Sequence, residues 1–334
     1  MARPIRSLIT SVIIPACLVL TACTTGPSGH STLDGSDLNF CDGKRVVLCY
    51  RHEPSPFKPY VRELSTPSGV NVLLDSPPDH AHHHGLMFAL GVDDIDFWGE
   101  EPAGEVGRQQ PGPAGLGITG EDASSCDHHL IWRSPDGTAL LQEQRSLTIV
   151  PMSGRDVTLI TWWTILSPDP AGASVQLWGH HYFGLGMRFV HDMDQATTFV
   201  FADDAVGAVF RGDERLTPAR WCAARGVIDG HPVTIAMLDH PANPRHPATW
   251  FTMSAPFAYL SATMSLHESP YTLERDESLS LRYGIALFDG HAPIEQIESI
   301  SQQWVNGVAS DVQPPHPVET PPFTSNPTAH GTQP

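Results

Sequence analysis

The chain has 334 residues, with 19 Lys and Arg against 37 Asp and Glu and a formal net charge of −18. This acidic balance argues against nucleic acid as a partner, because phosphate contacts need a basic surface. Thirty-one prolines and 28 glycines argue against a mainly helical protein, since both residue types interrupt helices.

The amino terminus reads as a targeting signal. Arg3 and Arg6 form a short basic region, Leu8 to Leu20 is an apolar run too short to span a bilayer comfortably, and Leu20-Thr21-Ala22-Cys23 follows. The end of this segment, residues 1–22, resembles a bacterial lipobox. That resemblance implies cleavage before Cys23, acylation of its thiol, and a mature protein anchored at the cell envelope, on the periplasmic face or the cell surface. Cys41, Cys49, Cys126 and Cys222 then remain. Cys41 and Cys49 flank an Asp42-Gly43 turn and are the first candidates for a disulfide, with free buried thiols as the alternative.

Residues 23–37 have the small, polar composition of a flexible tether, and residues 312–334 that of a disordered Pro-rich tail. One folded domain over residues 38–311 is expected between them. Short β-branched runs predict strands over residues 45–50, 70–74, 146–150, 157–165, 197–201, 233–238 and 279–288, and only 294–305 carries helical periodicity. The fold class is all-β: a large antiparallel sandwich with one short C-terminal helix.

Within that framework the least ordinary stretch is Asp79-His80-Ala81-His82-His83-His84-Gly85, which follows a Pro-Pro turn signal and precedes Phe97-Trp98-Gly99-Glu100. In an extended segment His80, His82 and His84 share a face, and a turn brings His83 round to join them. Several imidazoles beside a carboxylate and an indole suit a substrate or metal pocket, and a solvated His-rich loop is the plainer reading. Gly179-His180-His181-Tyr182-Phe183-Gly184-Leu185-Gly186-Met187-Arg188 supplies a second polar wall in which His180, Tyr182 and Arg188 share parity. Asp239 to Pro247, with His240 and Arg245, is either a binding loop or a rigid corner. Glu268, before Pro270, is the candidate general base or a surface carboxylate.

Together these stretches resemble the PmoA-like bacterial domain that carries a methane oxygenase label. The match rests on Asp79 to Gly85, Phe97 to Glu100, His181 to Arg188, Asp239 to Arg245, Leu281-Arg282-Tyr283 and Asp289-Gly290, and runs from about residue 57 to 292. His84 stands where that family more often has a basic residue such as Arg. The oxygenase label implies a multi-span membrane protein, and no apolar run after the signal is long enough to be a span.

A weaker resemblance is to the galactose mutarotase-like supersandwich. It rests on His84-Gly85 with Trp98, then Gly179-His180-His181-Tyr182-Phe183-Gly184-Leu185, then His267-Glu268-Ser269-Pro270, with Gly179, Gly184 and Ser269 departing from the family's pattern. It implies a carbohydrate-active protein performing acid–base chemistry such as epimerisation, elimination or hydrolysis on a sugar or oxidised sugar. His180 is the expected acid and Glu268 the expected base, with His83 also catalytic. Asp79, His80, His82, His84, Trp98, Glu100, Tyr182, Arg188, His240 and Arg245 are expected to bind substrate, with no cofactor. One alternative is a divalent metal held by His80, His82, His83 and His180; another is a glycan-binding lipoprotein without catalysis.

Overall fold

In the computed structural model, the described residues are 29–53, 57–101, 104–120, 124–150 and 156–311. The signal, Cys23 and the Pro-rich tail lie outside them. No helix among the described residues is long and apolar enough to cross a membrane.

The chain folds as the expected all-β sandwich of antiparallel sheets. The largest sheet has ten strands, in spatial order Gly29–Asp34, Asp37–Asp42, Arg45–Arg51, Tyr60–Leu64, Leu86–Ala89, Gly184–Arg188, Tyr259–Thr263, Thr249–Met253, Glu214–Pro218 and Ala208–Arg211. The second has eight: Thr198–Phe201, Trp221–Ile228, His231–Asp239, Leu279–Asp289, Val157–Pro168, Ala139–Val150, Ser125–Arg133 and Arg108–Thr119. A small four-stranded sheet is built from Tyr271–Leu273, Val175–Trp178, Gly91–Val92 and Ile95–Asp96. Long non-polar alternation places Leu86, Phe88, Leu185, Met187, Leu260 and Ala262 in one core with Leu159, Trp162, Ile235 and Ile285. The helix Ile294–Asp311 seals one end through Ile297, Ile300 and Trp304.

An ion pair sits inside this sandwich. Arg145 and Glu143, whose side chains are both 0% exposed, meet at 2.8 Å. Arg145 also donates to Gln109 Oε1 and to the carbonyl of Pro59, and lies over the Trp162 ring, while Glu143 accepts from Trp132 Nε1 and Thr164 Oγ1. Each charge is therefore compensated by named donors or acceptors, the condition under which burial is tolerable.

Two expectations need correction, and one open alternative is decided. Residues 29–34, expected within the tether, form a strand paired with Asp37–Asp42. Residues 70–74 make only the isolated bridges Ser65↔Asn71 and Leu73↔Phe189, because their apolar side chains serve the core rather than a ladder. All four described cysteines are free thiols. In the hairpin Cys41 faces Val46 and Cys49 faces Asn39, across a register irregularity, so the two sulfurs are not opposed. Burial pushes the Cys49 thiol up to about 12, with the Asp37 charge adding to it.

Acid is expected to destabilise this fold. His83 and His128 are buried, and their pKa values fall to about 2 and about 3, first by burial and then by neighbouring imidazoles and guanidinium groups. Below about pH 6.5 the unfolded chain protonates both and the folded chain does not, so stability falls with pH by up to about 1.4 kcal/mol per unit for each. His84 has the opposite sign. Its folded pKa is raised, so its contribution is complete below about pH 6.5 and is lost only as pH rises through the folded value. Urea midpoints should therefore drop from pH 6.5 to pH 5; a midpoint constant over that range contradicts the assignment of neutral buried imidazoles.

Candidate functional site

The candidate residues lie on the face of the ten-stranded sheet opposite Leu185, Met187, Leu260 and Ala262, and the rings of Trp98, Phe251, Phe257 and Tyr259 are buried in the same apolar cluster. Directly paired residues share a face, so the register Arg188↔Tyr259, Tyr259↔Met253, Gly186↔Ser261, Ser261↔Phe251 and Phe251↔Leu216 aligns Arg188, Tyr259, Phe251 and, two residues before Leu216, Glu214. Gly186 lets Tyr259 and Trp98 pack down onto the strand at the middle of this face, since a Cβ there would stand 2.2 Å from the Tyr259 hydroxyl and 2.9 Å from the Trp98 ring.

Loops cover both ends of the face. At the first end the Pro-Pro signal produces a turn rather than an extended segment: the His80 amide donates to Pro77 O and the His83 amide to His80 O. The expected alternation of His80, His82 and His84 is thereby lost. His80 and His83 stack at 4.7 Å, both meet the Phe257 ring edge-on, and His82 packs on His83. Arg188 lies over Phe257 at 3.7 Å, with Asp79 at 3.6 Å from its Nη2. The turn thus gathers Asp79, His80, His82 and His83 around Arg188 and, through the 5.2 Å contact of His83, around Tyr259.

His84 and Glu100 form a closed network beside this cluster. His84 donates to Asp75 (2.9 Å) and Glu100 (2.8 Å), and stacks on Tyr60. Lys58 donates to Glu100 and to the carbonyl of Trp98. Burial lowers the His84 pKa, but hydrogen bonds to the two carboxylates outweigh it and leave the net shift upward. An imidazolium between two carboxylates thus fixes the Trp98 segment to the histidine turn.

Trp98 continues the row. It stacks on Phe183 and meets Tyr182 and Tyr259 edge-on. Tyr182 then contacts His181 and Phe251, and His181 contacts Phe210 and His267. At this second end His181 Nε2 approaches Glu214 Oε2 to 3.2 Å without the alignment of a hydrogen bond, while Arg211 holds Glu214 Oε1 at 2.7 Å. Burial lowers the His181 pKa against the pull of Glu214.

The other expected residues fall at the edge of this row or outside it. His180 is exposed and stacks on Tyr182, because residues 180–183 form a turn closed by the Phe183 amide on His180 O. The expected shared parity of His180, Tyr182 and Arg188 therefore does not hold. Glu268 is 70% exposed, 3.8 Å from His267. His240 packs on Trp304 at the helix, and Arg245 donates to the carbonyls of Met264, Ser269 and Pro270, so the Asp239–Pro247 loop is the rigid corner that ties down the His267 loop. The ligand set His80, His82, His83 and His180 does not assemble: among the described residues no three His, Cys, Asp or Glu side chains are grouped to hold a metal ion. Glu214, Phe251, Phe257, Tyr259, Phe210 and the functional use of His181 and His267 were not assigned from sequence.

Unpaired polar atoms recur along this row. The indoles of Trp132, Trp162, Trp163, Trp221, Trp250 and Trp304 each donate to a protein acceptor. Those of Trp98 and Trp178 do not, and neither His83 Nδ1, Arg188 Nε and Nη1, the Tyr259 hydroxyl nor His267 Nδ1 has a protein partner. Buried polar atoms are ordinarily paired; the exceptions include several in and beside this row, and others at His52, His129, Arg225 and His240 lie outside it.

The structure is an antiparallel β-sandwich with an aromatic, imidazole-rich sheet face. The chain belongs to the family of unknown function DUF6807, whose model matches residues 38–302. No curated protein matches it in sequence. Among solved structures it is similar to a galactose mutarotase related enzyme from Lactobacillus acidophilus (7% identity, 80% of this chain and 99% of that one, TM-score 0.40). It is also similar to GH36 α-galactosidase AgaB from Geobacillus stearothermophilus (8% identity, 78% of this chain, TM-score 0.44). This chain spans 41% of the α-galactosidase. Neither likeness carries an argument about activity, and the reading of the site rests on its own geometry.

Proposed function

We propose that this face is the site of a carbohydrate-active protein held at the cell envelope by an acylated Cys23. The observation that carries the reading is the row of rings from Phe257 through Tyr259, Trp98 and Tyr182 to Phe251, interleaved with unpartnered buried donors and acceptors. A sugar ring offers the complementary surface: an apolar C–H face for stacking and a rim of hydroxyl groups for in-plane hydrogen bonds.

In this reading Trp98 and Tyr259 orient the ring, and Trp98 Nε1, the Tyr259 hydroxyl and His83 Nδ1 bond its hydroxyl groups. Glu214 accepts a proton through Oε2, the oxygen that Arg211 leaves free. His181, neutral near pH 7 because burial lowers its pKa, passes a proton to or from the reacting oxygen, with His267 beside it. His180 and Glu268 stand at the rim of the same end and meet the part of the sugar that projects outward.

Proton NMR of the full chain with a panel of mono- and disaccharides tests the proposal. Saturation transfer to at least one sugar is expected, together with new product signals or accelerated anomer exchange. Transfer without product reduces the protein to a glycan binder; no transfer to any sugar overturns the reading.

A further inference from the structure

Arg188 is an anomalous buried charge. Its residue is 1% exposed at the end of the strand Gly184–Arg188, yet neither Nε nor Nη1 has a hydrogen-bond partner. Among the described residues the carboxylates near it are Asp79 at 3.6 Å and Asp194 at 4.0 Å, both beyond hydrogen-bond distance. Asp194 is engaged elsewhere, by His191 Nδ1 at 3.0 Å and by the amide of Ala258 at 2.8 Å. Asp79 is 49% exposed and otherwise bonded only to the neighbouring His80 ring, at 3.1 Å.

A buried guanidinium without bonded acceptors is costly, and the cost is recovered when an anion enters and accepts from it. Other donors point the same way. The Tyr259 hydroxyl and His83 Nδ1 are unpartnered, and His83 lies 5.2 Å from Tyr259 on the same side as Phe257, on which the guanidinium rests at 3.7 Å.

We infer that Arg188 reads a carboxylate, and that the sugar taken by this site is an acidic one, a uronate or aldonate whose carboxylate replaces Asp79 beside the guanidinium. The inference rests on the carbohydrate reading and narrows it. A monoanion is favoured over a phosphate ester because Asp79 and Asp194 already stand within 4.0 Å of the one guanidinium. A dianion there would face two carboxylates with a single cation, whereas a carboxylate that displaces Asp79 leaves the local charge unchanged.

Calorimetric titration of the full chain with the methyl glycosides of glucuronic and galacturonic acid, against those of glucose and galactose, tests this. At least one uronide should bind about tenfold or more tightly than its neutral counterpart. Arg188→Gln should remove that preference, bringing the ratio of uronide to neutral affinity close to one. Asp79→Asn, an exposed change that does not threaten folding, should raise the uronide-to-neutral affinity ratio severalfold by removing the uronide's competitor. Equal binding of neutral and acidic glycosides by the unaltered protein overturns the inference and leaves the carbohydrate reading intact. So does a preference that Asp79→Asn does not increase. Binding of none of the four overturns both.

Discussion

Replacing Glu214 with glutamine is expected to lower turnover of the sugar substrate by about 10²–10⁴-fold, the usual contribution of a positioned acid or base, with little change in KM. The amide keeps the shape of the side chain and its contact with Arg211 but cannot hold the transferred proton. His181→Gln should give a loss of similar size, and the double variant little more than either single one, because the two groups stand 3.2 Å apart and act on one proton. Glu268 is the competing base. At 70% exposure, with His267 at 3.8 Å as its near partner, it should tolerate glutamine with a rate change of only about threefold, the size of effect left when no transition-state contact is lost. Steady-state kinetics on the three variants decides the matter. A Glu268→Gln loss exceeding that of Glu214→Gln contradicts the assignment.

Arg145→Met should be the most destabilising substitution, at roughly 3–5 kcal/mol. It strands Glu143 without a countercharge inside the sandwich, where only Trp132 Nε1 and Thr164 Oγ1 still donate to it. It also removes the donors to Gln109 and to the Pro59 carbonyl. The pair's net value is smaller than the cost of breaking it, so Glu143→Leu combined with Arg145→Met should recover a large part of the loss. Urea denaturation measures both. A cost below about 1 kcal/mol for the single variant contradicts the account of this pair as a compensated buried charge.

Much of the scaffold could be read directly from the chain. Alternating β-branched runs such as residues 157–165 and 279–288 became strands, and the Ile294 to Val305 periodicity became the helix. Residues 70–74 did not follow, because an apolar run reports burial, while a ladder also needs a neighbour in register. The histidine turn, Trp98, Tyr182 and Arg188 were conspicuous because chemically unusual residues crowd into short stretches. Tyr259, Phe251 and Glu214 were not, since each sits singly in an ordinary strand.

What brings those three to the site is spatial strand order, in which Tyr259–Thr263 and Thr249–Met253 lie between Gly184–Arg188 and Glu214–Pro218. Long crossovers create that order, and local pattern does not encode it. The misplaced parity of His180 has a local cause. The turn over residues 180–183 ends in Gly184 at φ +144, where a Cβ would lie 2.0 Å from the Ala262 carbonyl, so the count of alternation restarts there.

The central claim is that the Arg188 and Tyr259 face of the ten-stranded sheet binds a sugar-like ligand across Trp98. The eight tryptophans supply eight indole N–H probes, of which those of Trp98 and Trp178 lack a protein acceptor. Titration of the nitrogen-15-labelled chain with the best-binding sugar of the panel should move the Trp98 indole resonance, while those of the core residues Trp132 and Trp162 stay fixed. A Trp98 resonance that remains in place while the sugar binds elsewhere contradicts the account.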